Sequence, residues 1–328
     1  MTPSLSTANL LPPEIWYKIA SYACTDGGAN GISLSSVSKF IRESTAPFKF
    51  QSIAIHNRRQ AIAFHKQLFQ TAPLLRHTRF LFISLFEASS AEDIKAARRS
   101  KMRGGTDHQE ARQSSDACGG ILEELADSIE ILFLNVSVAR LDLLPALSFP
   151  RLVEMTSSGL PGCEFFEFGD ESYRPLCPQL RRWHLVRQPP TRLLVDMHNI
   201  APAITHLRFS GLDQHNSLNF HFVAALGGHI PPLNDIWEHP KHGLPKSLQK
   251  LYLQPVRQLS WEIDDDPPLT VLRNLNGVDS RLVLLKAPAG DYERGARYRI
   301  CTSSEWQDCV NGGSECWSLS DRVPPKSS

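Results

Sequence analysis

The sequence predicts an α/β (α+β) protein, with a short N-terminal helical module followed by a body of short parallel strands that return through helices or loops. Three observations predict it. Apolar residues at helical spacing fill residues 10–55. An apolar triplet at i, i+3 and i+5 recurs from Ile129 onward. A proline often stands just ahead of that triplet, as Pro150, Pro178, Pro202 and Pro245 do. The first pattern fits helices with one buried face, and the second fits strands with alternating sides.

The first helix opens at Pro12 and Pro13, where proline's missing N–H would have no partner in any case. Glu14 places a carboxylate at the positive helix end. Ile15, Ile19, Tyr22 and Ala23 then share one face. Asp26-Gly27-Gly28-Ala29-Asn30-Gly31 is expected to break the helix. A second helix is expected from Ser33, with Leu34, Val37 and Ile41 on its inner face. Pro47, Phe48 and Phe50 mark a third short turn, and Ile53-Ala54-Ile55 reads as the first strand.

These residues resemble an F-box. Leu11-Pro12-Pro13-Glu14-Ile15 is similar to the family's opening element, and Val37-Ser38-Lys39-Phe40-Ile41-Arg42 to a run in its second helix. The resemblance implies a three-helix module that docks on a Skp-type adaptor and, through it, a cullin. It places the adaptor contact on Leu11, Pro12, Glu14, Ile15 and Ile19, and on Leu34, Val37, Ser38 and Ile41. A module of this size is small for a stable core of its own, which fits one that leans on a partner. Packing against the rest of the chain, as a plain helical cap, is the competing expectation for the same side chains.

Residues 56–86 read as a linking amphipathic helix, Asn57 to Gln70, and a strand, Thr78 to Ser84. Residues 87–118 are rich in Ser, Ala, Arg, Gln and Gly, so a flexible insert is expected there. Its basic run from Lys95 to Arg103 reads as a solvated loop, with a localisation or nucleic-acid patch as the alternative.

Residues 119–318 are expected to form the body. The triplets are Ile129/Leu132/Leu134, Leu152/Met155, Leu180/Trp183/Leu185, Ile204/Leu207/Phe209 and Leu248/Leu251/Leu253. Their first residues are separated by 23, 28, 24 and 44 positions. Three of those spacings resemble leucine-rich repeats, in a degenerate form that lacks the closing asparagine in most units. Such units bury their apolar sides only when stacked, which implies an irregular solenoid with helical returns at residues 119–127, 191–199 and 219–226. An ordinary α/β domain with several short strands is the competing architecture. On stacked strands, Arg182, His184, His206, Arg208, Lys250 and Tyr252 would form an outward basic-aromatic row, nominated here as a substrate-binding face, with a solvated strand surface as the plainer reading. Leu282 to Leu285 reads as a last strand, and Ser303 to Trp317 as a cap over the last unit, resembling the close of fungal F-box-like chains.

The composition bears on function by exclusion. The 328 residues carry 35 basic and 34 acidic side chains, net +1, which argues against a nucleic-acid or membrane partner. No secretory signal or membrane-spanning run is visible, so a cytoplasmic or nuclear location is expected. The seven cysteines are odd in number and widely spaced, and fit small reduced core residues better than a disulfide or zinc framework. No nucleophile elbow, phosphate loop or metalloprotease motif occurs, so no catalytic residue, cofactor or metal is expected. The expected function is that of a substrate-receptor subunit of a Skp/cullin/F-box ubiquitin ligase with an unknown protein substrate. The alternative is a non-catalytic repeat scaffold without ligase association.

Overall fold

In a computed structural model, the described residues are 11–85, 106–136, 147–161, 175–186, 196–212, 217–228, 244–255, 267–287, 303–313, 317 and 322–324. The chain is a mixed α/β protein in which strand Ser52–Ile55 runs parallel to Phe80–Ser84, as does each neighbouring pair from Glu154–Ser157 to Leu282–Leu284. Contacts divide it into two compact units, one of residues 1–133 with 303–315, the other of residues 134–302 with 316–328.

The first unit begins with α1 (Pro13–Ala23), α2 (Ala29–Val37) and α3 (Lys39–Thr45). The expected second helix is therefore two helices. Ser38 is extended and accepts a hydrogen bond from the Ile41 N–H at 3.2 Å, so it caps α3 rather than continuing α2. Arg42 Nε donates to the Ser35 carbonyl at 2.6 Å, satisfying one of the carbonyls that α2 leaves open. The Asp26–Gly31 breaker is also shorter than expected. Gly28 enters α2 at φ +108°, which a Cβ would strain, and the Asp26 carboxylate accepts the Asn30 N–H.

Gly31 lies so close to the Lys49 carbonyl that a Cβ would collide with it. Gly31→Ala should therefore push α2 off its neighbour and cost about 1–3 kcal/mol, measurable as a lower urea midpoint at unchanged slope.

The unit continues β1 (Ser52–Ile55), α4 (Arg58–Gln70), β2 (Phe80–Ser84), α5 (Thr106–Leu125) and β3 (Ile131–Asn135), with the boundary between units falling inside β3. Asn57 caps α4 by accepting the Gln60 N–H at 2.9 Å, and Gln60 Oε1 accepts the His56 N–H at 2.7 Å. The flexible insert expected at 87–118 is contradicted from residue 106 on, where α5 runs. Its small residues are the reason. Within the stretch Ser114, Ala117 and Cys118 are buried, and just beyond it Gly120 lies directly against the His65 ring of α4. The basic run Lys95–Arg103 lies outside the described residues.

The second unit holds β4 (Glu154–Ser157), β5 (Arg182–Val186), α6 (Met197–Ile200), β6 (His206–Leu212), α7 (Ser217–Ala225), β7 (Lys250–Pro255), α8 (Pro267–Leu275) and β8 (Leu282–Leu284). Strand order follows chain order, β1-β2-β3 in the first unit and β4-β5-β6-β7-β8 in the second. Neighbouring parallel strands require crossover connections, and α4, α5, α6, α7 and α8 lie in them. The expected returns at 119–127 and 219–226 are met by α5 and α7. Of the one at 191–199, only its end is described, as α6.

One backbone pattern recurs. The residue ahead of β1, β2, β4, β5 and β6 offers its carbonyl to two consecutive N–H groups at the start of the next strand. Gln51 accepts from Arg79 and Phe80, Arg79 from Glu130 and Ile131, Val153 from Arg181 and Arg182, Arg181 from Thr205 and His206, and Thr205 from Gln249 and Lys250.

Register sets the two faces of the second unit's sheet. Met155, Trp183, Leu207, Leu251 and Leu282 lie side by side, as do Ser157, Leu185, Phe209, Leu253 and Leu284. All are buried, and Trp183 Nε1 donates to Ser157 Oγ at 3.1 Å. Phe209 packs edge-on against Phe222 of α7, so a helix covers this apolar face.

The C-terminal segment departs from the cap expected over the last strand. A final helix, α9 (Ser303–Val310), belongs to the first unit, where Trp306 lies 5.7 Å from Phe82 of β2. Trp317 instead lies on the opposite, polar face of β4–β7.

Candidate protein-binding surfaces

The first candidate surface is α1. Its inward side is short: Ala20 is buried, Tyr17 meets Phe48 edge-on at 4.4 Å, and Gln51 Nε2 donates to the Ser21 and Cys24 carbonyls at the helix end. The opposite side carries Ile15, Ile19 and Tyr22 within one helical stripe, with Leu11 just ahead of the helix. Leu11, Ile15, Ile19 and Tyr22 are exposed by 40%, 43%, 40% and 74%. Seven of the ten exposed large hydrophobic residues among those described lie between Leu11 and Val37. Single exposed apolar residues need no explanation, but a clustered stripe marks an interaction surface.

The nine residues that the sequence nominates for adaptor contact fall into three groups. Leu11, Pro12, Glu14, Ile15, Ile19 and Val37 are exposed, and Leu34 and Ser38 are half-buried. Ile41 is only 2% exposed and is a core residue of α3. Ser38 is occupied in capping. The break at Ser38 is what separates Val37, at the end of α2, from Ile41. Ile32 and Tyr22 are exposed apolar residues that the sequence reading does not nominate; the helical spacing of Tyr22 with Ile15 and Ile19 was the signal for it.

The second candidate surface is the polar face of β4–β7. In register across it lie Glu154, Arg182, His206 and Lys250, then Thr156, His184, Arg208 and Tyr252. All six nominated substrate-face residues thus come together in two adjacent rows. They do not form a bare surface. His184 and Tyr252 are buried, and Arg182, His206, Arg208 and Lys250 are half-buried.

Polar groups hidden this way require partners, and they have them. Arg182 Nη2 lies 2.7 Å from Glu154 Oε2, an ion pair by distance, though not aligned as a hydrogen bond. Ser210 donates to Gln254 Oε1 at 2.8 Å, Arg208 Nη2 donates to the same oxygen at 2.9 Å, and Gln254 Nε2 donates to the Lys286 carbonyl at 3.1 Å. His184 Nε2 and Ser210 Oγ are 2.8 Å apart. With the serine proton directed to Gln254, the histidine is the donor in that pair, an arrangement opposite to that of a base activating a nucleophile.

No known protein family, curated protein or solved structure matches the chain. The two surfaces therefore have to be read from their own chemistry.

Burial, and then the neighbouring Arg208, hold the His184 pKa well below the ordinary value. Burial, then Arg182 and Lys250, lower that of His206. The sign for stability follows. Between the depressed folded pKa and the unfolded value near 6.5, the unfolded chain binds a proton that the folded chain refuses. Stability should therefore be intact at pH 7 and fall as pH drops below about 6.5, with His184 contributing a slope of about 1.4 kcal/mol per pH unit. His184→Gln should flatten that slope in urea titrations run from pH 7 to pH 5.

Cys24, Cys118, Cys177 and Cys309 are buried free thiols. Burial pushes Cys177 up to about 12, and burial with the Asp26 charge pushes Cys24 up to about 11, so both stay protonated at neutral pH. Cys163, Cys301 and Cys316 lie outside the described residues. Among the described residues, no group of histidine, cysteine and carboxylate side chains is arranged to hold a metal ion, and no helix is long and apolar enough to cross a membrane.

Proposed function

We propose that this chain is a substrate-receptor subunit of a Skp/cullin/F-box ubiquitin ligase. In this reading α1–α3 form an F-box that docks on the adaptor, and the strands from β1 to β8 are the units of a degenerate leucine-rich-repeat solenoid that receives a protein target. The observation that carries the reading is the exposed apolar stripe of Ile15, Ile19 and Tyr22 on α1, with Leu11 just ahead of it, which coincides with the Leu-Pro-Pro-Glu-Ile opening. An isolated chain that leaves this stripe in water gains free energy by burying it in an adaptor groove.

The repeat reading is supported by the shared register of Leu185, Phe209 and Leu253 and by the recurring carbonyl-to-two-N–H pattern. The same triplet spacing also occurs ahead of the nominated units, as Phe50/Ile53/Ile55 and Thr78/Leu81/Ile83, on β1 and β2.

One observation favours the second reading, a repeat scaffold whose helices only cap it. The Gly27 carbonyl accepts the Ala54 N–H at 3.2 Å, so the turn into α2 seals part of the edge of β1. Co-expression with a Skp-type adaptor and affinity purification separates the two. The receptor reading expects the adaptor, and with it the cullin, in stoichiometric amount. Recovery of the chain without adaptor leaves only the scaffold.

A further inference from the structure

Among the described residues three tryptophans are buried, and one is unlike the others. Trp183 lies within an apolar row of the sheet, and Trp306 lies against Phe82. Trp317 sits on the polar face. Its indole N–H donates to Glu154 Oε1 at 2.9 Å. Its ring stands edge-on to His206 at 6.0 Å and to Tyr252 at 5.8 Å, and those two rings are stacked on each other. The result is a seat with a flat aromatic wall and one buried acceptor, fixed in place by Arg182. A ring with an N–H at its side satisfies both features. Phenylalanine lacks the donor, and tyrosine carries its hydroxyl at the ring tip.

The floor of the seat is made of groups that water solvates well. Uncovering Glu154, Arg182, His206 and Lys250 costs far less than uncovering an apolar row, because an ion pair released to water regains hydration. Beyond Trp317, the described residues Arg322 and Val323 meet the β8 end, where Arg322 bridges Leu285. The Val323 N–H donates to the Leu284 carbonyl at 2.8 Å, and Asn276 Nδ2 donates to the Val323 carbonyl at 3.3 Å.

We infer that this seat is a tryptophan-reading site for a target peptide, held closed by the chain's own Trp317. Resting on the receptor reading above, it gives the target a chemistry: an extended segment presenting one tryptophan, which enters by displacing Trp317. Trp317 is then a resident competitor that sets the threshold for target binding.

The test uses the full-length chain and full-length Trp317→Ala. The probe is a labelled peptide copying residues 313–324, with Cys316 replaced by serine, followed by fluorescence anisotropy. The Trp317→Ala chain should bind the peptide at least about tenfold more tightly than the native chain, since its seat is vacant. A peptide with phenylalanine in place of its tryptophan should bind about tenfold more weakly, the loss of one hydrogen bond to a charged acceptor. Equal binding by both chains, no binding by a Trp317→Ala chain that melts cooperatively, or equal binding of the phenylalanine peptide would each overturn the inference. So would a Trp317→Ala chain that no longer folds, because Trp317 would then be core rather than a displaceable occupant. Adaptor recovery by the same two chains reads the receptor hypothesis separately: peptide binding without adaptor recovery rejects that hypothesis and leaves the seat standing.

Discussion

A chain carrying Leu11→Asp and Ile15→Asp will lose a Skp-type adaptor in co-purification and yet melt where the native chain melts. Both side chains are more than a third exposed, and neither belongs to the buried core. Surface substitutions of this kind usually shift stability by no more than about 0.5 kcal/mol. At an adaptor interface the same changes remove two apolar anchors and force two carboxylates out of water. A loss of about 100-fold or more in affinity follows, roughly 2.7 kcal/mol or more. Ile41→Asp is the informative contrast. Ile41 is buried beneath α3, so its replacement should unfold the helical module and lose the adaptor for that reason. Thermal melts beside the pull-down separate the two routes to the same negative result.

Trp183→Ala should be the most destabilising single truncation in the second unit, costing about 3–5 kcal/mol. The indole lies between Met155 and Leu207 in a fully buried row, and its N–H satisfies Ser157 Oγ. Removing it leaves a cavity bounded by strands that cannot close, because their spacing is fixed by the backbone ladder. Val278→Ala, at an exposed turn, should be close to neutral. Urea denaturation of both variants measures the difference. A cost below about 1 kcal/mol for Trp183→Ala would mean that the row is not the continuous core described.

The strands were legible in the sequence because the pleat repeats every two residues. Leu207, Phe209, Leu251 and Leu253 declare one face simply by alternating with His206, Arg208, Lys250 and Tyr252, and the observed register pairs them row for row. Ile53–Ile55 and Thr78–Ser84 also read as strands, but they stand ahead of the recurring triplets and were not linked to them. The two helical departures have local causes. Ser38 looks like any polar residue of an amphipathic helix until its hydroxyl is seen to cap Ile41. The stretch ending at Cys118 looked too polar to order, because hydrophobicity counts side-chain volume and misses the burial of small residues such as Ser114, Ala117 and Cys118.

The candidate surfaces were legible to different depths. The apolar stripe on α1 follows from spacing alone, but whether Val37 and Ile41 share its exposure depends on a cap. For the sheet face, sequence identified which residues line up and not what lies over them. The contact of Trp317 with Glu154 joins residues 163 positions apart, and no local pattern signals it.

The central claim, that α1–α3 dock on an adaptor, is tested most directly by hydrogen exchange of the full-length chain with and without a purified Skp-type adaptor. The account predicts that saturating adaptor slows exchange in residues 11–45, most strongly across α1, with β4–β8 unchanged. Unchanged exchange across α1 at saturating adaptor would contradict it.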